Sequence, residues 1–270
     1  MPDSDPIGDR FGRFVTRFLP VVALLAAAGA THAGSLQVAP VTLGFGPQEQ
    51  ARVLYLDNHG GQPLEAQVRV QRWSQHDGQD RLEPTGDIVA TPAIVMIAPG
   101  ERPTVRLVRR QAAPPAREES YRVLVNELPR KRDHAADHAA LHVLLGYSIP
   151  LFVAAVDAPR APASAGTDVP PPPVDLSGVR ARLVRGADGR TVLRVANDGA
   201  AHVRIGGLAV QAADGSERAV VDGLVGYVLP GQQVSFPVDL PDTLPAGQTL
   251  KARFNDDREA RPVPLDRAGS

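Results

Sequence analysis

The 270-residue sequence contains no cysteine. A disulfide framework, a thiolate metal site and a cysteine nucleophile are therefore excluded. Aromatic residues are scarce, at 4 % with a single Trp, so a core must be built mainly from Val, Leu, Ala and Ile. An excess of either charge is also missing. Lys plus Arg number 29 and Asp plus Glu 30, for a formal net charge of −1. Bulk nucleic-acid binding needs a basic footprint, and this balance argues against it. After residue 30 no stretch approaches 18 consecutive apolar residues, so no later membrane span is expected. Hydrophobic residues make up 43 %, as in a globular chain. Gly and Pro are plentiful, at 25 and 26, well above the usual combined share of roughly 12 %. That excess favours many short elements joined by turns over a helical bundle.

Residues 1–33 read as a secretory signal peptide. Arg10, Arg13 and Arg17 form a positive flank, an apolar run extends from Phe18 through Ala30, and Thr31-His32-Ala33 ends it in small residues. That order marks an export signal, and the run is short for a bilayer span. Ala28-Gly29-Ala30 is a second possible cleavage box, and an uncleaved anchor is the alternative. Removal would take three Arg and three Asp and leave the net charge at −1. The mature chain would then be soluble.

From Ser35 to Ala155 the pattern is that of short strands. In Ala51–Asn58, Val53, Tyr55 and Asp57 alternate with Leu54 and Leu56. In Leu64–Trp73, Ala66, Val68 and Val70 alternate with Glu65, Gln67, Arg69 and Gln71. Such two-residue periods indicate half-buried strands. Ser35–Phe45 is expected as an edge strand interrupted by Pro40. Ile94–Ile97 and Thr104–Val108 are further short strands, and Tyr121–Leu128 and Leu141–Val156 are the two strongest. Asn58-His59-Gly60-Gly61, His76-Asp77-Gly78-Gln79 and Pro99-Gly100 are turn signals. Strands at this spacing predict an all-β sandwich.

Asp157–Pro173 includes four consecutive prolines, Pro170–Pro173, and reads as a stiff spacer. The expected organisation is an N-terminal domain over 34–156, a linker over 157–175 and a C-terminal β domain over 176–270. In the last, Arg180–Arg185, Thr191–Asn197, Val203–Gln211, Gly226–Leu229, Val234–Val238 and Leu250–Asn255 are the expected strands. Asp188-Gly189 and Asp214-Gly215 are hairpin signals. No internal repeat is evident, although Pro230-Gly231 repeats the turn type of Pro99-Gly100.

Few motifs carry chemistry. His134, His138 and His142 lie four apart beside Asp137, a spacing that would align three imidazoles for a metal on a helix. The basic run Arg130-Lys131-Arg132 before them favours a loop instead. No phosphate loop, G-x-S-x-G elbow or H-E-x-x-H motif occurs. Neither enzymatic activity nor a cofactor is expected.

Three segments resemble one family as a set. They are Ala90-Thr91-Pro92 followed by Pro99-Gly100 and Val105-Arg106-Leu107, then Glu119-Ser120-Tyr121-Arg122-Val123-Leu124-Val125-Asn126-Glu127-Leu128-Pro129, then Ile149-Pro150-Leu151-Phe152-Val153. In this order they resemble the periplasmic pilus-assembly chaperones of the PapD-like family. In detail they look like its archaic, or sigma, branch associated with spore-coat-U-like pilins. The resemblance covers Leu36 to Val153. It implies two immunoglobulin-like β-sandwich domains and a last strand of the first domain, G1, that is lent to an incomplete pilin subunit. It also implies delivery of that subunit to an outer-membrane usher.

Leu141–Phe152 carries apolar residues on both faces. By position against the family's G1 motif, Leu141, Val143 and Leu145 would be the donor residues. A fully buried central strand shows the same pattern. Well-known members carry a basic pair that binds the subunit's terminal carboxylate, but here Thr42 and Pro150 stand at those positions. Arg122 and Arg106 are the replacement candidates, with solvated strand arginines as the plain alternative. Pro150 lacks an N–H and should end or interrupt the donated edge. The rival reading is a secreted two-domain adhesin or binding module whose G1-like strand is simply core.

Overall fold

A computed structural model describes residues 36–111, 113–129, 144–156 and 174–266. The expected export signal, Leu141, Val143, the three histidines, the Arg130–Arg132 run and the Pro-rich segment Asp157–Pro173 lie outside them. The first described part forms ten strands. They are β1 (Leu36–Ala39), β2 (Leu43–Phe45), β3 (Ala51–Asn58), β4 (Leu64–His76), β5 (Gln79–Pro84), β6 (Ile88–Thr91), β7 (Ile94–Ile97), β8 (Thr104–Arg109), β9 (Glu119–Glu127) and β10 (Gly146–Val153). One sheet has the order β1-β3-β8-β6, and the other β2-β10-β9-β4-β5 with β7 beside β4. The second part contributes β11 (Val179–Arg185), β12 (Thr191–Asn197), β13 (Val203–Gln211), β14 (Glu217–Val228), β15 (Gln232–Pro237), β16 (Thr249–Phe254) and β17 (Arg261–Pro262). These form the sheets β11-β12-β15 and β14-β13-β16-β17. The described chain is all-β, in two immunoglobulin-like β-sandwiches, as the family resemblance implies.

The alternation seen in the sequence sorts the side chains. Leu54 and Leu56 are fully buried while Val53 and Tyr55 on the same strand face out. Ala66, Val68 and Val70 point inward from β4. One core spans both sheets of the first sandwich, and a second, from Val179 to Val263, fills the other. Both follow from inward-facing residues recurring every second position.

Pro40 does more than interrupt an edge strand. Between Ala39 and Leu43 the chain leaves one sheet and joins the other, since β1 pairs with β3 and β2 with β10. The ring's missing N–H suits a position where no ladder bond is wanted. At Asp77-Gly78 both residues have positive φ, 52° and 74°. This is the twist that a two-residue hairpin turn needs.

A local device recurs in both sandwiches despite the absence of a legible repeat. Asn58 ends β3, is buried, and donates from Nδ2 to the carbonyls of Gln62 and Ile97, both at 2.9 Å. Asn197 ends β12 and donates likewise to Ala201 (2.8 Å) and Val228 (3.0 Å). Their own carbonyls accept from Gly100 and Gly231, the glycines of the two Pro-Gly turns. Each Asn thus satisfies backbone groups that burial would otherwise leave unpaired.

Candidate functional site

The site begins with the direction of hydrogen bonds along β10. Glu127 N donates to Leu145 O at 2.9 Å, next to the antiparallel β9–β10 ladder. Ala154 N donates the opposite way, to Phe45 O of β2 at 3.0 Å. Because peptide groups alternate along a strand, Phe152, Pro150, Ser148 and Gly146 also direct their backbone polar groups away from β9. β2 occupies that side only from Leu151 to Val153. Among the described residues nothing pairs with it at Gly146 and Ser148. β10 is therefore central at its end and an open edge at its start, a division that its apolar pattern could not reveal.

Pro150 does not end the strand. It lies inside β10 opposite Arg122, and the strand continues to Val153 because the proline nitrogen falls on the side away from β9. Its effect is local: the open edge lacks a donor there. Extending the parallel register by one residue from Leu43↔Leu151 sets Thr42 beside Pro150. The two uncharged residues are thus neighbours.

Leu145 lies just before β10, partly buried against the first core together with Tyr147, whose hydroxyl donates to Leu36 O at 2.5 Å. Leu145 has the inward parity of Ile149, Leu151 and Val153. Leu141 and Val143 lie outside the described residues.

The opposite face of the same sheet meets the second sandwich. Trp73 and Gln75 of β4, Arg122 of β9, and Pro150 and Phe152 of β10 all have outward parity, yet only Arg122 keeps substantial exposure. Trp73, Phe152 and Leu229 form a small apolar cluster with Tyr227 against it. Phe152 stacks on His202 with ring centroids 3.5 Å apart and an interplanar angle of 5°. Glu118 accepts from both the backbone and the ring nitrogen of His202, each at 2.8 Å. Gln75 accepts from Leu229 N and donates to Tyr227 O, both at 2.9 Å. The Trp73 indole N–H is buried with no hydrogen-bond partner.

Arg122 is set into this junction. Its guanidinium carbon lies 3.7 Å from the Trp73 ring centroid and 5.4 Å from that of Tyr227. Burial lowers its pKa from the ordinary arginine value, with Asp80 and Tyr227 opposing that shift. Burial likewise raises the Tyr227 phenol, against Arg204 and Arg122. Stacking on an indole uses the face of the guanidinium and leaves its in-plane N–H groups available. Within the described residues Arg122 forms no carboxylate ion pair. Its one polar contact there is a 3.5 Å approach to Ser148 O, on the open stretch of β10. The arrangement can hold a carboxylate next to a strand edge.

Arg106 is not part of it. It is exposed on β8, opposite Val53 and Thr91 in the other sheet. The two candidate arginines therefore lie on different sheets and do not converge. The sequence did not reveal that Trp73 meets Leu229 and Tyr227 of the second sandwich, nor the parts played by Gln75, Glu118, His202 and Tyr227. The available signal was Trp73 itself, which falls on the polar side of an alternating strand. Among the described residues no group of three His, Asp or Glu side chains could hold a metal. No helix there is long and apolar enough to cross a membrane.

Comparison with known proteins gives a consistent picture. Residues 35–155 match the family model described as pili and flagellar-assembly chaperone, PapD N-terminal domain. No curated protein matches. Among solved structures, the chain resembles a CsuC–CsuE chaperone–tip subunit pre-assembly complex from archaic chaperone-usher Csu pili of Acinetobacter baumannii. That match has a TM-score of 0.62 at 22 % identity and covers 86 % of this chain and 98 % of that one. The SafB chaperone with the SafA pilin of Salmonella enterica gives 0.56 at 16 %, covering 87 % and 97 %. The CupB2 chaperone of Pseudomonas aeruginosa gives 0.54 at 16 %, covering 85 % and 100 %. At these identities the likeness is one of fold. Over residues 35–155 the chain thus matches the N-terminal domain model of the pili and flagellar-assembly chaperones, and it has the fold that its structural relatives share.

Proposed function

We propose that this protein is a periplasmic chaperone that binds pilin subunits by strand donation and passes them to an outer-membrane usher. The observation that carries this reading is the open edge of β10 at Gly146 and Ser148, beside a stacked arginine. An unpaired strand edge is normally an aggregation hazard. Here it would be the binding surface, adding a strand to an incomplete sandwich. Leu141, Val143 and Leu145 are the proposed donor side chains, and Arg122 is the proposed anchor for the subunit's terminal carboxylate. In this reading residues 1–33 are an export signal, 34–156 and 176–270 are the two domains, and 157–175 is a linker. The archaic branch and a spore-coat-U-like pilin as the partner are proposed from the sequence resemblance, and the likeness to a complex from archaic pili is one of fold.

Co-expression with such a pilin should yield a soluble one-to-one complex. Replacing Val143 and Leu145 together by Glu should abolish that complex while the variant still folds. Normal pilin binding by the folded double variant would refute strand donation by these residues.

A further inference from the structure

A polar trough lies where the β4–β5 turn approaches the second sandwich. We propose that the trough between the β4–β5 turn and the outer face of the β11-β12-β15 sheet binds an acidic, extended peptide segment of a partner protein, with Arg194 as its anchor. The trough has a volume of about 560 Å³, more than one inorganic oxyanion would fill. One wall is the turn Asp77-Gly78. A Cβ at Gly78 would lie 3.9 Å from Gln233 O and 4.0 Å from Ser235 N, so the turn sits close to the β15 backbone.

The floor is unusual in its charge. Arg182 of β11 lies directly opposite Arg194 of β12, and like charges facing across a ladder are destabilising. Neighbouring arginines are neutralised. Arg180 pairs with Asp198, Arg182 with Asp266 at 3.4 Å, Arg185 with Asp242 at 3.1 Å and Arg190 with Asp188 at 3.8 Å. Arg194 has no carboxylate partner among the described residues. Its Nε reaches only the Ser235 hydroxyl, at 3.4 Å, which orients the fork without satisfying it. Gln232 and Gln233 line the trough beside it and offer amide donors and acceptors. Asp77 at the rim is 87 % exposed and approaches His76 at 3.9 Å, so water screens most of its repulsion. A guanidinium flanked by side-chain amides suits a carboxylate carried on a peptide backbone. This assignment stands apart from strand donation by β10, since it uses neither β10 nor Arg122.

The test is a titration of the full chain, labelled at arginine Nε, with a capped tetraglutamate peptide. Separate arms use capped tetraglutamine and inorganic phosphate. The Arg194 Nε–H signal should shift saturably with tetraglutamate and not with tetraglutamine. Arg194→Gln should weaken the peptide by about tenfold or more, equivalent to roughly 1.4 kcal/mol, and Arg190→Gln should not. Amide spectra of both variants establish that they are folded. An unsaturable response, equal affinity for the two variants, or phosphate binding as tightly as the peptide would each overturn the proposal.

Discussion

At the scale of single residues, Arg122 shows how a side chain acquires a role from its surroundings. In the sequence it is one arginine among several in alternating strands, and nothing separates it from Arg106. The structure distinguishes them by what covers each: Trp73 and Tyr227 lie against Arg122, and Arg106 remains on an open sheet face. Arg122→Ala should therefore weaken subunit binding by roughly 1.5–3 kcal/mol, the range for hydrogen bonds to charged groups. Arg122→Lys should recover only part of it, because an ammonium cannot both stack and present a fork. Arg106→Ala should leave binding unchanged. Titration calorimetry with a purified subunit checks all three, and equal losses for the Arg122 and Arg106 variants would remove the distinction. Thr42 and Pro150 were legible as departures from the family's basic pair, because identity at a motif position is a sequence property. The substitute was only half legible, because it depends on a contact made from the other sandwich.

At the scale of elements, most strands could be read and their roles could not. β3, β12 and β13 fall where alternation places them. β5, which is exposed throughout, and the first three quarters of β14 have no apolar period and were missed. Their pairing comes from the hairpins that precede them. Elements are also joined by polar contacts that no period announces. Asp87, just ahead of β6, accepts from Arg72 of β4 at 2.5 Å, Thr85 at 2.8 Å and the Tyr121 hydroxyl of β9 at 3.2 Å. The Thr85 hydroxyl and Arg72 outweigh burial and hold the Asp87 carboxyl below its ordinary value. A folded pKa below the unfolded one contributes stability above the unfolded pKa of about 3.9. That contribution is lost as pH falls through the folded value. Urea midpoints between pH 6 and pH 2.5 should therefore drop less steeply in Asp87→Asn than in the parent. Parallel curves would show that this carboxylate does not govern the acid limb.

At the scale of the whole molecule, two cores are joined by a thin seam of aromatic rings and amides. The sequence indicated two β domains but left their junction blank. The residues that build it sit at positions where each domain alone would want polar side chains. Phe152 is the centre of the seam, in contact with His202 and Trp73. Phe152→Ala should cost about 3 kcal/mol while leaving strand content unchanged by circular dichroism. With the seam weakened, the two sandwiches should melt in separate calorimetric steps. A single sharp transition in the variant would show that the domains are coupled by something other than these rings.

Pro150 gives this assembly a ruler. A visiting strand that zipped along the open side of β10 would find backbone donors and acceptors at Gly146 and Ser148, then an acceptor without a donor at Pro150, and then the body of β2 in its path. Its travel would end at a steric stop built from two short pieces of chain. Alignment of guest and host would thus be measured from one fixed end, and guests with quite different sequences would all be brought to the same mark.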